Sequence, residues 1–171
     1  MSDTLRLERF DRSHLDAVEV LLEDPDVLRF TRVPEPVPAG FAESWLATYE
    51  DGRRDGTREA FAIVDGGGTF LGVAVAPRID LPARTAELGY VVARTARGRG
   101  VAMLALRLLT EWAFGELGLL RAELLISAEN PASKRVAERC GYLRKGVLRS
   151  LHFKQERRED TELWSRLPGD A

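Results

Sequence analysis

Residues 87–109, ELGYVVARTARGRGVAMLALRLL, constrain this chain more than any other stretch. Residues 85–93 form a valine-rich run that reads as a strand, and Gly89 inside it marks an expected β-bulge or close backbone approach. From Val101, the apolar residues Leu104, Ala105, Leu108, Leu109 and Trp112 recur at helical spacing until Gly115 and Gly118 end the pattern. Between strand and helix lies a basic, glycine-containing turn. Unpaired N–H groups at a helix start carry partial positive charge, Gly98 and Gly100 let an anion approach, and Arg97 and Arg99 add full charges, so the turn reads as a phosphate site. The competing reading is a solvated loop whose arginines face water.

Two nucleotide-binding motifs fail on this segment. A phosphate loop of the NTPase type needs Gly-Lys followed by Ser or Thr, a combination the chain lacks. A dinucleotide fingerprint needs a third small residue where Met103 stands, and it needs repeated βα units around it. Here only one parallel crossover is evident.

The flanks supply a mixed set of elements. Thr4 to Arg9 alternates as a half-buried strand. Ser13 followed by Asp16 resembles a capping box for a helix that Asp24-Pro25 stops. The proline-rich residues 33–38 form a loop leading into Phe41, Trp45 and Tyr49, spaced as a helix. Residues 59–64 and 69–75 pair as a hairpin across Asp65 and three glycines. Residues 121–127 read as a buried strand. Asn130 then caps a helix with Pro131 at its first position and Gly141 after its end. Residues 146–151 and 159–167 finish the chain as two strands.

At 171 residues, with no internal repeat or linker, residues 1–171 read as a single domain. A net charge of −2 provides no general field for nucleic acid or an anionic membrane, so neither is expected as a partner. The lone Cys140 excludes an internal disulfide and a four-cysteine zinc site, and no metal is expected. With no apolar leader after the N-terminus and no run of 18 apolar residues, the expected compartment is the cytoplasm.

The segment Arg97-Gly98-Arg99-Gly100-Val101-Ala102 resembles the Q/R-x-x-G-x-G/A signature of the GNAT acetyltransferase superfamily. NPASKRVAERCGY, from Asn130 to Tyr142, is similar to that family's second block, which ends in a Gly-aromatic pair. Leu5-Arg-Leu7, Glu87-Leu-Gly-Tyr90 and Asp160-Thr-Glu-Leu-Trp-Ser165 resemble the branch containing the ribosomal-protein N-terminal acetyltransferases. The resemblance covers nearly the whole chain.

It implies an α/β fold with a mixed, mostly antiparallel sheet of about seven strands, splayed between the fourth and fifth, and about four helices. It further implies direct transfer of acetyl from acetyl-CoA to a primary amine, either a protein N-terminus or a small molecule, by a monomer or homodimer. The alternative is a catalytically silent acyl-CoA-binding module. The pyrophosphate would sit on Arg97, Gly98, Arg99, Gly100, Val101 and Ala102. The pantetheine arm would lie along Tyr90, Val91 and Val92, with Asn130 and Ser133 facing the same co-substrate. An N–H group freed by a bulge at Gly89 would hold the thioester oxygen.

An α-amine titrates near pH ~7.7 and a lysine near ~10.4, so the nucleophile must lose a proton. The family often places a base acting through water at the position of Glu87; a salt-bridged strand carboxylate is the alternative. The family's usual tyrosine for the leaving thiolate is absent, with Val136-Ala137 in its place, and the role passes to Ser133 or to no side chain. Cys140 reads as a buried structural thiol, and Tyr142 as core. His14 and His152 read as surface or substrate-pocket residues. Trp45 and Tyr49 read as core, or as a wall of the acceptor pocket formed by residues 24–38, the second helix and the final hairpin. Asp24, Asp26 and Glu35 hint at a cationic acceptor, and a solvated loop explains them equally well.

Overall fold

The computed structural model describes residues 4–170. A seven-stranded sheet runs in the order β1-β2-β3-β4-β5-β7-β6. Its strands are β1 (Arg6–Arg9), β2 (Glu59–Val64), β3 (Phe70–Asp80), β4 (Thr85–Val92), β5 (Arg121–Ser127), β6 (Leu143–Lys154) and β7 (Arg157–Arg166). All neighbours are antiparallel except β4 and β5. The helices are α1 (Leu15–Leu21), α2 (Pro25–Phe30), α3 (Phe41–Asp55), α4 (Val101–Gly115) and α5 (Pro131–Arg139).

Strand alternation divides the core in two. On one face Ala60, Ala62, Val64 and Val73 pack beneath α1 and α3, with Phe10, Leu46 and Tyr49 buried among them. On the other, Leu88, Val92, Leu124 and Ile126 meet Ala105, Leu106 and Leu109 of α4 and Ala137 of α5. The helix of residues 101–115 therefore buries the apolar stripe that its spacing announces, and Trp112 edges onto Phe61 with ring centroids 5.1 Å apart.

Three local expectations are corrected. The cap before α1 is Asp11, not Ser13: its carboxylate accepts from Ser13 N at 2.9 Å, and His14 Nδ1 accepts from Asp11 N at 3.2 Å, closing a 3₁₀ turn over Arg12–His14. Asp24-Pro25 does not merely stop α1. It begins α2, because Asp24 accepts from Asp26 N at 2.9 Å and proline suits a first helical turn. The bulge lies on β3 rather than at Gly89: between the pairs Val75↔Gly89 and Arg78↔Glu87, β3 carries the extra residue. Pro77 explains the choice, since it has no N–H to give the ladder and a bulge tolerates that loss.

Gly72 was not singled out from the sequence, yet it sets how closely β3 approaches β4. Its φ is +153°, and a Cβ there would stand 2.1 Å from the Val91 carbonyl oxygen. Only glycine fits that contact.

Candidate active site

The parallel pairing of β4 with β5 covers just three positions, Thr85↔Arg121, Ala86↔Ala122 and Glu87↔Glu123. Beyond Glu87 the two strands part, although β4 continues to Val92 and β5 to Ser127. Main-chain groups of β4 on the β5 side thus lose their ladder at the strand opening, not at a bulged Gly89. Any oxyanion donor here arises from the splay.

Immediately after β4 comes the basic turn. Gly98 and Gly100 adopt left-handed conformations, φ +74° and +78°, and a Cβ on either would have no heavy atom within 4 Å. The space in front of the turn is open. Gly100 is the N-cap of α4 and supplies no side-chain cap, so the helix presents its first N–H groups uncovered. These features fit a bound pyrophosphate.

Arg97 has a different commitment from the one its sequence position suggested. Its guanidinium bonds Asp24 at 2.7 Å, Asp26 at 3.1 Å and the Val92 carbonyl at 3.1 Å. It ties the turn to the start of α2. The same bonds pair Asp24 and Asp26 within the protein, and Glu35 likewise faces Lys154 at 3.4 Å.

The sheet separates the other candidates by face. Leu88, Tyr90 and Val92 belong to the side of α4 and α5, whereas Val91 packs toward α1 and α3. By alternation Glu87 joins Val91. Ser133 stands at the start of α5, where Asn130 Oδ1 accepts from its N–H at 3.2 Å and Asn130 Nδ2 donates to its hydroxyl at 3.1 Å. Glu87 and Ser133 therefore approach the strand opening from opposite faces. The Tyr90 hydroxyl is buried on the Ser133 side without a hydrogen bond of normal geometry. Burial pushes its phenol up to about 12, partly opposed by Ser133.

Glu87 is 9% exposed and pairs with Arg32, whose Nη2 lies 2.9 Å from its carboxylate. Arg32, in the loop after α2, carried no signal in the sequence; nothing in its local pattern distinguishes it from a solvated arginine. A cavity of about 800 Å³ opens beside it, between residues 23–35 and the β6–β7 hairpin, with Leu125, Ser127 and His152 in its wall. Trp45 and Tyr49 do not line it. Their rings meet at a tilt with centroids 4.7 Å apart, Tyr49 being 6% exposed in the core.

Two residues are excluded from the chemistry. Cys140 is 3% exposed and burial pushes its thiol up, so a thiolate nucleophile is disfavoured there. Tyr142 is a core residue whose hydroxyl lies 2.7 Å from Thr110 Oγ1. Among the described residues there is no cluster of metal-ligating side chains, and no helix is long and apolar enough to cross a membrane.

A half-splayed mixed sheet, with an open glycine turn leading into a helix at the splay, is an arrangement suited to holding an acyl-CoA. Residues 4–143 match the acetyltransferase (GNAT) domain model, and the chain belongs to that family of N-acetyltransferases. A putative ribosomal N-acetyltransferase of Bacillus subtilis, YdaF, is 35% identical over 82 residues, covering 48% of this chain and 45% of that protein. The match thus spans just under half of that relative. The uncharacterised N-acetyltransferase p20 of Bacillus licheniformis is 24% identical over 97% of this chain and 94% of its own.

Among solved structures, the ribosomal-protein α-N-acetyltransferase RimL in complex with coenzyme A superimposes with a TM-score of 0.89, at 20% identity over 97% of this chain and 95% of its own. The spermidine N-acetyltransferase of Vibrio cholerae in complex with CoA and spermine gives a TM-score of 0.86, at 22% identity over 97% and 96%. At these identities the likeness establishes the fold. It agrees with the mixed sheet and the opening between β4 and β5.

Proposed function

We propose that this chain transfers acetyl from acetyl-CoA directly to a primary amine, the amine being a peptide N-terminus or a small molecule. The opening between β4 and β5 carries this reading, with the uncovered start of α4 at one end and the cavity beside Arg32 on the other face. The N–H groups of the turn from Arg97 to Ala102 receive the pyrophosphate, with Gly98 and Gly100 leaving room and Arg99 and Val101 completing the turn. The exposed edge of β4 at Tyr90, Val91 and Val92 receives the pantetheine arm as a further strand would be received. Asn130 and Ser133 close that side. Bound acetyl-CoA supplies the activated acyl carbon; the protein holds it, orients the amine and manages the protons.

Glu87, its carboxylate held by Arg32, brings an acceptor oxygen to the strand opening, where it orients the amine. The cavity wall bears Arg29, Arg32, Lys154 and Arg157 against Glu23, Glu35 and Glu159, with Lys154 paired to Glu35 and Arg29 to Glu159. Such a wall suits a singly charged amine next to neutral or acidic groups better than a polyamine. Peptide N-termini are the favoured class. The test is CoA release from acetyl-CoA over a panel of peptides, small amines and spermidine. Transfer to peptide N-termini above spermidine is expected; CoA binding without transfer to any amine would leave an acyl-CoA-binding module instead.

Ser133→Ala isolates the leaving-group step. Because Asn130 caps the main-chain N–H of Ser133, the variant keeps the helix start, and little change in melting temperature is expected. Turnover should fall by about tenfold while acetyl-CoA affinity stays within a few-fold, since assistance to sulfur exists only in the transition state. Weakened affinity would place the hydroxyl on the pantetheine arm, and full activity with intact affinity would leave the thiolate departing unaided.

A further inference from the structure

We propose that His152 is the proton acceptor of the transfer, one ring nitrogen held by Thr161 and the other turned to the acceptor cavity. This rests on the reading of the site as an acetyltransferase centre. The geometry begins with an irregularity in the last hairpin. Between the pairs Leu148↔Thr161 and His152↔Glu159, β6 carries two more residues than β7. Ser150 within this bulge has φ +51°. Two bonds from β7 fix it: Ser150 N donates to Asp160 Oδ1 at 2.8 Å, and Arg158 Nη1 donates to the Ser150 carbonyl at 3.2 Å.

A bulge re-aims the side chains that follow it. Here it folds His152 back along β7, so that Nδ1 lies 2.8 Å from Thr161 Oγ1 although Thr161 pairs with Leu148. Thr161 is 1% exposed and pairs with Ser127 of β5, which lines the cavity. A ring held at Nδ1 by a buried hydroxyl has one orientation. With Nδ1–H donating to Thr161, Nε2 carries the free lone pair on a ring that lines the cavity.

The charged groups acting on the ring come from three sides: Arg32 from the loop after α2, Glu87 from β4 and Glu159 from β7. Burial, then Arg32, lowers the pKa of His152, with Glu87 and Glu159 opposing. A lowered pKa favours the neutral ring, the form that can accept a proton. Glu87, its carboxylate bound to Arg32, instead stabilises the imidazolium as it forms. In the step, an ammonium entering the site first gives one proton to Nε2 of His152, which hands it to water; the freed amine nitrogen then bonds to the acyl carbon, and the C–S bond breaks with its electron pair on sulfur. The second proton on nitrogen leaves by the same route, while the thiolate takes a proton from solvent.

Two histidines in the chain make the test direct. In ¹⁵N-labelled protein, with His14→Gln identifying the signals, His152 should be the Nδ1–H tautomer at pH 7 and titrate below the ordinary histidine range. His152→Asn should lose about 10²-fold in kcat with acetyl-CoA affinity unchanged, and should lose the acid limb of the pH profile. Added imidazole should restore part of the turnover of His152→Ala. His152→Asn with wild-type turnover and an intact acid limb overturns the proposal, as does a ring protonated on both nitrogens at pH 7. A wild-type protein that acetylates no amine would refute the transferase reading itself; an active wild type with an unaffected His152→Asn refutes only the base.

Discussion

Gly100→Asp is expected to remove acetyl-CoA binding from a protein that still folds. At φ +78° the residue is left-handed, and a Cβ would meet no neighbour within 4 Å, so the substitution costs backbone strain rather than a clash at Cβ. Aspartate is among the residues that tolerate this region, at about 1 kcal/mol. Side-chain capping needs an extended backbone that this left-handed position does not supply, so the strain is not recovered and stability should fall by about 1 kcal/mol. Binding suffers more, because the carboxylate stands beside the N–H groups a pyrophosphate needs and repels it. A loss of about 3 kcal/mol, or two decades in Kd, is the expected scale by calorimetry. Gly100→Asn fills the space without the charge and should lose less. Unaltered CoA binding in a folded Gly100→Asp protein would move the pyrophosphate site elsewhere.

Glu87→Gln is expected to lower turnover by about 10²-fold with acetyl-CoA affinity unchanged. The separation follows from the sheet: Glu87 lies on the face of the acceptor cavity, opposite the side where α4 and α5 meet the strand opening. Stability should change little, since the Arg32 side chain is 55% exposed and is left to water when its partner becomes neutral. The pH profile decides the role. Loss of the negative charge makes a nearby imidazolium less favourable, so the acid limb should move to lower pH but persist. An acid limb that vanishes in Glu87→Gln would make Glu87 the base, and wild-type turnover would make it a structural ion-pair partner.

Much of this architecture was legible in the chain. The glycines of residues 65–68, the helical spacing from Val101 to Trp112 and the Asn130-Pro131 cap each act over a few residues, and each formed as expected. Less legible were boundaries governed by a partner strand. The third strand was expected to end at 75 but extends to Asp80, because β4 supplies a ladder that continues past the bulge at Pro77. The strand expected at 146–151 occupies Leu143–Lys154, drawn out by its pairing with β7.

The site divides along the same line. The turn from Arg97 to Ala102 depends on local backbone freedom and on the start of one helix, both written in consecutive residues, and the sequence by itself determined it. The ion pair of Arg32 with Glu87 and that of Arg97 with Asp24 join residues 55 and 73 positions apart. Side-chain periodicity says nothing about such partners. The reach of His152 to Thr161 depends on two extra residues in β6 measured against β7, a register that exists only once both strands are paired. Only the tertiary structure decided these, because charge pairing and strand register are properties of two segments at a distance, and neither segment alone encodes where the other will lie.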